Sequence, residues 1–135
     1  MRAFIDTSAL LALSRARDQY HVRAVRATET HLESGGHYVG TTLVLAELHA
    51  HLMRLRGLGP ARESIARLLA DPIHHWHEVG SDIVSAATGD WLAKFHDQNF
   101  TLTDAVSFEV MRREGLTSAF AFDRHFEVAG FELLV

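Results

Sequence analysis

The chain has 135 residues, of which 47% are apolar and 22% charged, and this balance predicts one globular domain over residues 1–135. It contains no cysteine, which excludes thiolate nucleophiles, disulfides and cysteine-ligated metal sites. The formal net charge is −4, so any nucleic-acid binding must come from a local basic patch. Neither a membrane-spanning apolar run nor a signal-peptide pattern is present. We therefore expect a soluble, cytoplasmic protein.

The first 41 residues alternate between strand and helix patterns. The apolar run Arg2–Asp6 predicts a short strand that leads directly into a helix over Ala9–Leu13. A helical pattern continues over residues 16–33 and stops at a serine–glycine–glycine sequence. A second short strand is expected at about His37–Thr41. The chain thus begins as strand, helix, strand.

The middle of the chain predicts two more helices. Thr41 or Thr42 is positioned to cap the first of them, and its apolar residues recur at helical spacing: Val44, Leu48, Leu52 and Leu55. Gly57 and Gly59 end this helix. Pro60 is expected to open the second helix, which reaches about Ala70 before an Asp-Pro break. Residues 73–79 are compatible with one short strand.

The last part of the chain predicts two helices and two strands. Ser81 is positioned to cap a helix with one apolar face: Val84, Ala87, Trp91, Leu92 and Phe95. Thr103 is expected to cap a helix from Asp104 to about Glu114. Strands are expected at Ala119–Phe122 and Phe131–Val135. Strands separated by helices predict an α/β fold with a mostly parallel sheet.

Four carboxylates stand beside apolar sequence: Asp6, Glu47, Asp104 and Asp123. Asp6 and Asp123 each follow a predicted strand, and ligands of parallel sheets bind beyond the carboxyl ends of the strands. Two carboxylates at one sheet edge repel each other unless one is protonated or a cation lies between them. Oxygen ligands without histidine or cysteine suit Mg²⁺ or Mn²⁺. This pattern favours metal-assisted phosphodiester hydrolysis.

Each of these acids also has a structural explanation. Asp104 can complement its helix dipole, Asp123 can be an exposed strand end, and Glu47 lies at the margin of an apolar helix stripe. Other acids make a useful contrast because they lie opposite the apolar face of their helix and are expected to be solvated: Asp82, Asp90 and Asp97. Spacing alone leaves both explanations of the four acids open.

Four segments, taken together, resemble the acidic motifs of PIN-domain nucleases, especially the VapC-like toxins of bacterial toxin–antitoxin pairs. They are FIDTSAL at Phe4–Leu10, TTLVLAE at Thr41–Glu47, LTDAVSF at Leu102–Phe108, and AFDRHF at Ala121–Phe126 with a following glycine–phenylalanine pair. No single segment is diagnostic. Their order and approximate spacing make the resemblance specific, and it spans essentially the whole chain.

The resemblance implies a three-layer α/β/α fold and metal-dependent cleavage of RNA. It implies that Mg²⁺, or Mn²⁺ in its place, is held by Asp6, Glu47, Asp104 and Asp123. Of these, Asp6 and Asp104 are expected to be the central ligands, and Glu47 has the weakest claim to direct contact. It also suggests that Thr7 or Ser8 supports the site by hydrogen bonding. The expected partners are an RNA substrate, a small antitoxin and a second copy of the chain.

Alternative functions to a ribonuclease toxin remain open. A PIN-like fold that acts as a binding module with little hydrolysis is the alternative function, and a freestanding nuclease is the alternative to a toxin.

A zinc site in His74–His77 is disfavoured because adjacent histidines point in different directions. Trp76, Trp91 and the phenylalanines are expected in the core or at an interface, in preference to serving as base-stacking platforms. Four arginines lie close together in the sequence, namely Arg15, Arg17, Arg23 and Arg26. They could contact RNA phosphates or an acidic antitoxin segment.

Overall fold

A five-stranded sheet forms the centre of the protein in a computed structural model that describes residues 1–135. The strands are β1 (Arg2–Ile5), β2 (His37–Thr41), β3 (His74–His77), β4 (Ser118–Phe120) and β5 (Glu132–Leu133). Their order across the sheet is β3-β2-β1-β4-β5, and every neighbouring pair is parallel. The carboxyl ends of all five strands therefore lie along one edge.

Seven helices flank this sheet, in agreement with the predicted α/β fold. They are α1 (Thr7–Ser14), α2 (His21–Glu33), α3 (Thr42–Arg56), α4 (Leu58–Ala70), α5 (Ser81–Ala86), α6 (Leu102–Glu114) and α7 (His125–Val128). A π-helical segment, Ala87–Leu92, continues α5. None of the helices combines the length and the apolar character that crossing a membrane requires.

Strand β1 lies in the middle of the sheet and is covered on both faces. Its residues Phe4 and Ile5 are completely buried, as is Phe120 of the neighbouring β4. Helix α6 is nearly as enclosed, since all its residues from Asp104 to Met111 are buried. A central parallel strand has no solvated face, which explains its continuous apolar sequence. The rigid centre of the molecule is thus β1, β4 and α6.

Two helix starts differ from the sequence predictions. Helix α2 begins at His21 and not near residue 16, because the Asp18 carboxylate accepts a hydrogen bond from the Tyr20 N–H at 2.8 Å and closes a turn there. Helix α4 begins at Leu58, ahead of the expected Pro60. Proline is tolerated in a first helical turn because its missing N–H would have no partner in the helix there.

The C-terminal third contains four further corrections. Helix α6 begins at Leu102 with Thr101 as its cap, not Thr103. Strand β4 ends at Phe120 instead of Phe122, because β1 turns into α1 after Asp6, whose N–H bond to the Phe120 carbonyl is the last between the two strands. The last strand shortens to Glu132–Leu133, and the short helix α7 was not predicted. The shorter β4 leaves Ala121–Asp123 free to cross the carboxyl edge of the sheet.

Candidate active site

Asp6 is fixed where β1 ends and α1 begins. Its backbone N–H donates to the Phe120 carbonyl at 3.1 Å, so it continues the pairing between β1 and β4 by one residue. Its carboxylate caps α1 and accepts from both the N–H of Ser8, at 3.3 Å, and the Ser8 hydroxyl, at 2.7 Å. The Ser8 hydroxyl in turn accepts from the Phe122 N–H at 3.0 Å. Ser8 therefore ties Asp6 to the segment that follows β4.

Asp104 is held by a reciprocal cap at the start of α6. Its N–H donates to the Thr101 hydroxyl at 3.1 Å, and its carboxylate accepts from the Thr101 N–H at 3.0 Å. This capping box turns the carboxylate back toward the helix N-terminus. The sequence prediction of Thr103 as the cap missed this arrangement. The correct cap gives Asp104 a fixed direction as well as a helix-stabilising role.

Asp123 and His125 complete the cluster from the loop after β4. The Asp123 carboxylate accepts from the His125 N–H at 2.9 Å. The His125 ring Nδ1 lies 3.0 Å from Asp104 Oδ2 and 3.4 Å from Asp123 Oδ1. Since an ionised carboxylate only accepts hydrogen bonds, Nδ1 is the donor to Asp104, and the Asp123 carboxylate lies within ion-pair distance of the same nitrogen. One ligand atom from each of the three side chains lies within 4.8 Å of the others.

The surroundings of Asp6 disfavour its negative charge. Burial raises the pKa of the Asp6 carboxyl to about 6, and the negative charge of Asp104 adds to this rise, although the hydrogen bonds from Ser8 oppose it. A buried carboxylate with another nearby is costly to ionise without a cation. No arginine or lysine forms an ion pair with Asp6, Asp104 or Asp123. The site therefore suits a bound cation.

The structure brings the predicted acids together only in part. Asp104 and Asp123 share one cluster with His125, and Asp6 is close enough for the Asp104 charge to act on it. Glu47 is half-buried on α3 and does not join the cluster. The donors fit a divalent ion, since carboxylates supply the oxygen ligands that Mg²⁺ and Mn²⁺ prefer and imidazole is also a metal ligand. The full four-carboxylate ligand set stays a prediction.

His125 was not predicted as a site residue, although it lies inside the C-terminal segment used for the resemblance. The available signal was its position two residues after Asp123, in a loop expected at the carboxyl edge of the sheet. Of the two hydroxyls considered as supports, Ser8 makes the hydrogen bonds and the buried Thr7 hydroxyl has no partner. Hydrogen bonds through Ser8 therefore connect Asp6 with the segment that follows β4.

A third buried carboxylate, Glu109, lies farther along α6 and was not predicted. It accepts from Arg112, Arg113 and the Trp91 ring N–H. The prediction that three other acids are solvated is confirmed, because all are exposed: Asp82, Asp90 and Asp97. Asp82 pairs with Arg113 at 3.1 Å. The other carboxylates of this region therefore lie outside the acidic cluster.

Known proteins are similar to this chain in sequence and in fold. The PIN domain family model matches residues 3–132. The 23S rRNA-specific endonuclease VapC20 of Mycobacterium tuberculosis is 33% identical over 131 residues, which cover 95% of this chain and 94% of the relative.

Solved structures agree with this match. The crystal structure of M. tuberculosis VapC20, a sarcin–ricin loop cleaving toxin, superposes with a TM-score of 0.85 at 30% identity and covers 96% of this chain and 95% of that one. VapBC2 from Rickettsia felis, bound to a promoter DNA fragment, has a TM-score of 0.70 at 10% identity, with 98% and 97% covered. This second likeness is one of fold alone.

These matches define the class of the protein: the chain belongs to the PIN-domain family. Within that family it is an endoribonuclease of the VapC toxin type, as the resemblance of its motifs implied. The acidic cluster at the carboxyl edge of the sheet is consistent with the metal dependence of such nucleases.

Proposed function

We propose that this protein uses Mg²⁺ to cleave a ribosomal RNA and acts as the toxin of a toxin–antitoxin pair. The observation that carries the proposal is the convergence of Asp104, Asp123 and His125 beside the buried Asp6, with no arginine or lysine paired to any of them. The relative VapC20 is a 23S rRNA-specific endonuclease. We propose 23S rRNA as the substrate here as well.

In this proposal Asp6, Asp104 and Asp123 hold the metal, and Glu47 completes the site at its margin. Mg²⁺, or Mn²⁺ in its place, would supply a Lewis acid at these carboxylates for the activation of water and the neutralisation of charge on the phosphate. Ser8 orients Asp6 through its hydroxyl, and the Thr101 N–H orients Asp104. His125 links Asp104 and Asp123, because its ring Nδ1 donates to the Asp104 carboxylate and its backbone N–H donates to the Asp123 carboxylate. These contacts preorganise the ligands before the substrate arrives.

The partners in this proposal are a small antitoxin and a second copy of the chain. Three large apolar side chains remain exposed where α3 meets α4, namely Met53, Leu55 and Leu58. Exposed apolar surface of this kind favours a protein interface, and we assign it to a homodimer. We further propose that residues 1–135 work as one domain in the cytoplasm, where ribosomal RNA is available.

The test is cleavage of purified ribosomal RNA with Mg²⁺, Mn²⁺ or EDTA. Asp6→Asn protein, prepared in the same way, is the control for contaminating ribonuclease. We expect discrete cuts in the large-subunit RNA with either metal, and none with EDTA or with the variant. Metal binding by the wild type without any RNA cleavage would instead support a binding module.

A further inference from the structure

A stacked pair of aromatic rings includes Phe122, the residue that precedes Asp123 in the chain. Tyr20, just before α2, and Phe122, just after β4, have ring centroids 4.5 Å apart and planes tilted by only 7°. Both side chains are half-buried and line an open cavity of about 400 Å³. Rings that serve only the core are normally enclosed, whereas these two contribute to an accessible surface.

An arginine with no carboxylate partner accompanies this pair. The Arg23 guanidinium carbon lies 5.7 Å from the Tyr20 ring centroid and 5.5 Å from that of Phe122. Arg124 also lines the cavity, but it pairs with Glu127 at 3.4 Å. The ion pairs that arginines make in this structure belong to other residues: Arg2, Arg67, Arg112, Arg113 and Arg124. The positive charge of Arg23 is therefore available to a ligand.

The aromatic pair is joined directly to the site. The Phe122 N–H donates to the Ser8 hydroxyl, which donates to the Asp6 carboxylate. Phe122 also immediately precedes Asp123 in the chain. A flat group stacked against this pair would thus lie on the segment that leads into Asp123, with Arg23 beside it.

We propose that Tyr20, Phe122 and Arg23 form a nucleobase platform that positions the RNA next to the acidic cluster. The inference rests on the proposed function, since it takes RNA as the ligand. Exposed aromatic faces stack unpaired bases, and arginine contributes cation–π and phosphate contacts. These are positioning residues, because they bind the nucleotide beside the scissile phosphate and take no part in the bond change.

The first test measures RNA binding in the Asp104→Asn background, where the RNA stays intact. The probe is a fluorescent synthetic hairpin with the sarcin–ricin loop sequence, and anisotropy is the readout. We expect Tyr20→Ala to weaken binding roughly 5- to 100-fold, the range for loss of one stacked base, and Tyr20→Phe to preserve it. Arg23→Ala should weaken binding and reduce its salt dependence. Arg62→Ala, an exposed and unpaired arginine on α4, is the matched control.

A second test separates stacking from a structural role of Tyr20. Each loop nucleotide of the hairpin is replaced in turn by an abasic residue. One abasic position should weaken binding to the protein with Tyr20, and should have little further effect on the Tyr20→Ala protein, because both changes remove the same contact. If Tyr20→Ala does not fold, Phe122→Leu takes its place in this comparison.

The results distinguish failure of the nucleobase platform from failure of the proposed function. If wild-type protein cleaves RNA but Tyr20→Ala binds the hairpin normally, or no abasic position is coupled to Tyr20, the platform is wrong and the ribonuclease remains. If Tyr20→Ala impairs only capture of the antitoxin, the platform binds protein and the proposal is overturned. Loss of all RNA binding in the Asp104→Asn protein together with no cleavage by the wild type overturns both proposals.

Discussion

Asp104 and Glu109 lie on the same helix, α6, and both are buried, yet their surroundings are opposite. Glu109 accepts hydrogen bonds from Arg112 at 2.7 Å, from Arg113 at 2.6 Å and from the Trp91 ring N–H at 3.1 Å. These donors, led by Arg112, lower the pKa of the Glu109 carboxyl to about 2.

Asp104 receives no such compensation. Its partners are the Thr101 N–H and the His125 ring, and its nearest charged neighbours are other carboxylates. Burial raises the pKa of the Asp6 carboxyl to about 6, and the Asp104 charge adds a smaller contribution in the same direction. A carboxylate neutralised from within the chain stabilises the fold, whereas a cluster without that compensation requires a cation from solution. The positions along α6 do not reveal this difference, but the neighbouring residues do.

The largest expected effect comes from Asp104→Asn. Loss of residues that merely support metal ligands costs about 10- to 100-fold in activity or metal affinity, so removal of a proposed ligand should reduce cleavage by more than about 100-fold. The fold should persist, because Asn keeps the size of the side chain and removes repulsion among the acids. Cleavage of ribosomal RNA and thermal unfolding with and without Mg²⁺ would measure both effects.

The metal-dependent stabilisation provides the control for this variant. Mg²⁺ should raise the unfolding temperature of the wild type, because a ligand that binds only the native state stabilises it. It should leave that of Asp104→Asn nearly unchanged. An Asp104→Asn protein that cleaves RNA at the wild-type rate would remove Asp104 from the site.

Ser8→Ala should have the next largest effect. It leaves every proposed ligand in place but removes the hydroxyl that donates to Asp6 and accepts from Phe122. We expect cleavage or Mg²⁺ affinity to fall about 10- to 100-fold, as measured by single-turnover cleavage over a range of Mg²⁺ concentrations. Thr7→Val is the comparison, since it removes a hydroxyl that has no partner and keeps the size of the side chain. Equal losses in both variants would mean that the Ser8 contacts have no special role.

Glu109→Gln should affect stability and leave the chemistry intact. The variant keeps the size of the side chain but loses its charge-assisted bonds to Arg112 and Arg113, whose own side chains reach solvent. We expect the free energy of unfolding to fall by roughly 1–3 kcal/mol, as measured by urea denaturation. Cleavage per folded molecule should match the wild type. A folded Glu109→Gln protein without activity would place Glu109 in the functional machinery.

Acid should remove the same stabilisation from the wild type. The pKa of Glu109 is lower in the folded protein, about 2, than its ordinary value of 4.5. Its contribution is therefore complete above pH 4.5 and is lost as the pH falls toward 2. The difference in unfolding free energy between wild type and Glu109→Gln should shrink over this range. A difference that is independent of pH would mean that the carboxylate charge does not stabilise the fold.

Much of the fold could be predicted because the patterns are local. The apolar run before Asp6, the spacing from Val44 to Leu52, and Gly115 after α6 are local features that predict a strand, a helix and a helix end. The predictions failed where a side-chain contact decided the outcome, as with the turn made by Asp18 and the cap made by Thr101. Threonines occur at both 101 and 103, and only the reciprocal bond with Asp104 distinguishes them.

For the site, the sequence allowed us to predict only the types of its residues and the edge of the sheet on which they lie. Asp6 and Asp123 follow parallel strands, so their proximity to one edge could be expected. The contact between His125 and Asp104 joins residues from separate elements, and no periodicity predicts it. The same holds for Tyr20 and Phe122, whose stacking depends on where a turn before α2 meets the end of β4.

The smallest effect is expected for Asp90→Asn, which tests whether an acid outside the acidic cluster can be neutralised without loss of activity. Asp90 is an exposed acid in the π-helical segment, close enough to Arg112 for its charge to favour the protonated guanidinium. Surface substitutions of this kind change the free energy of unfolding by less than about 0.5 kcal/mol, and cleavage should be unchanged. Urea denaturation and ribosomal RNA cleavage would be measured in parallel with Asp104→Asn. If Asp90→Asn abolished cleavage with the fold intact, the functional carboxylates would lie on the Glu109 side of α6.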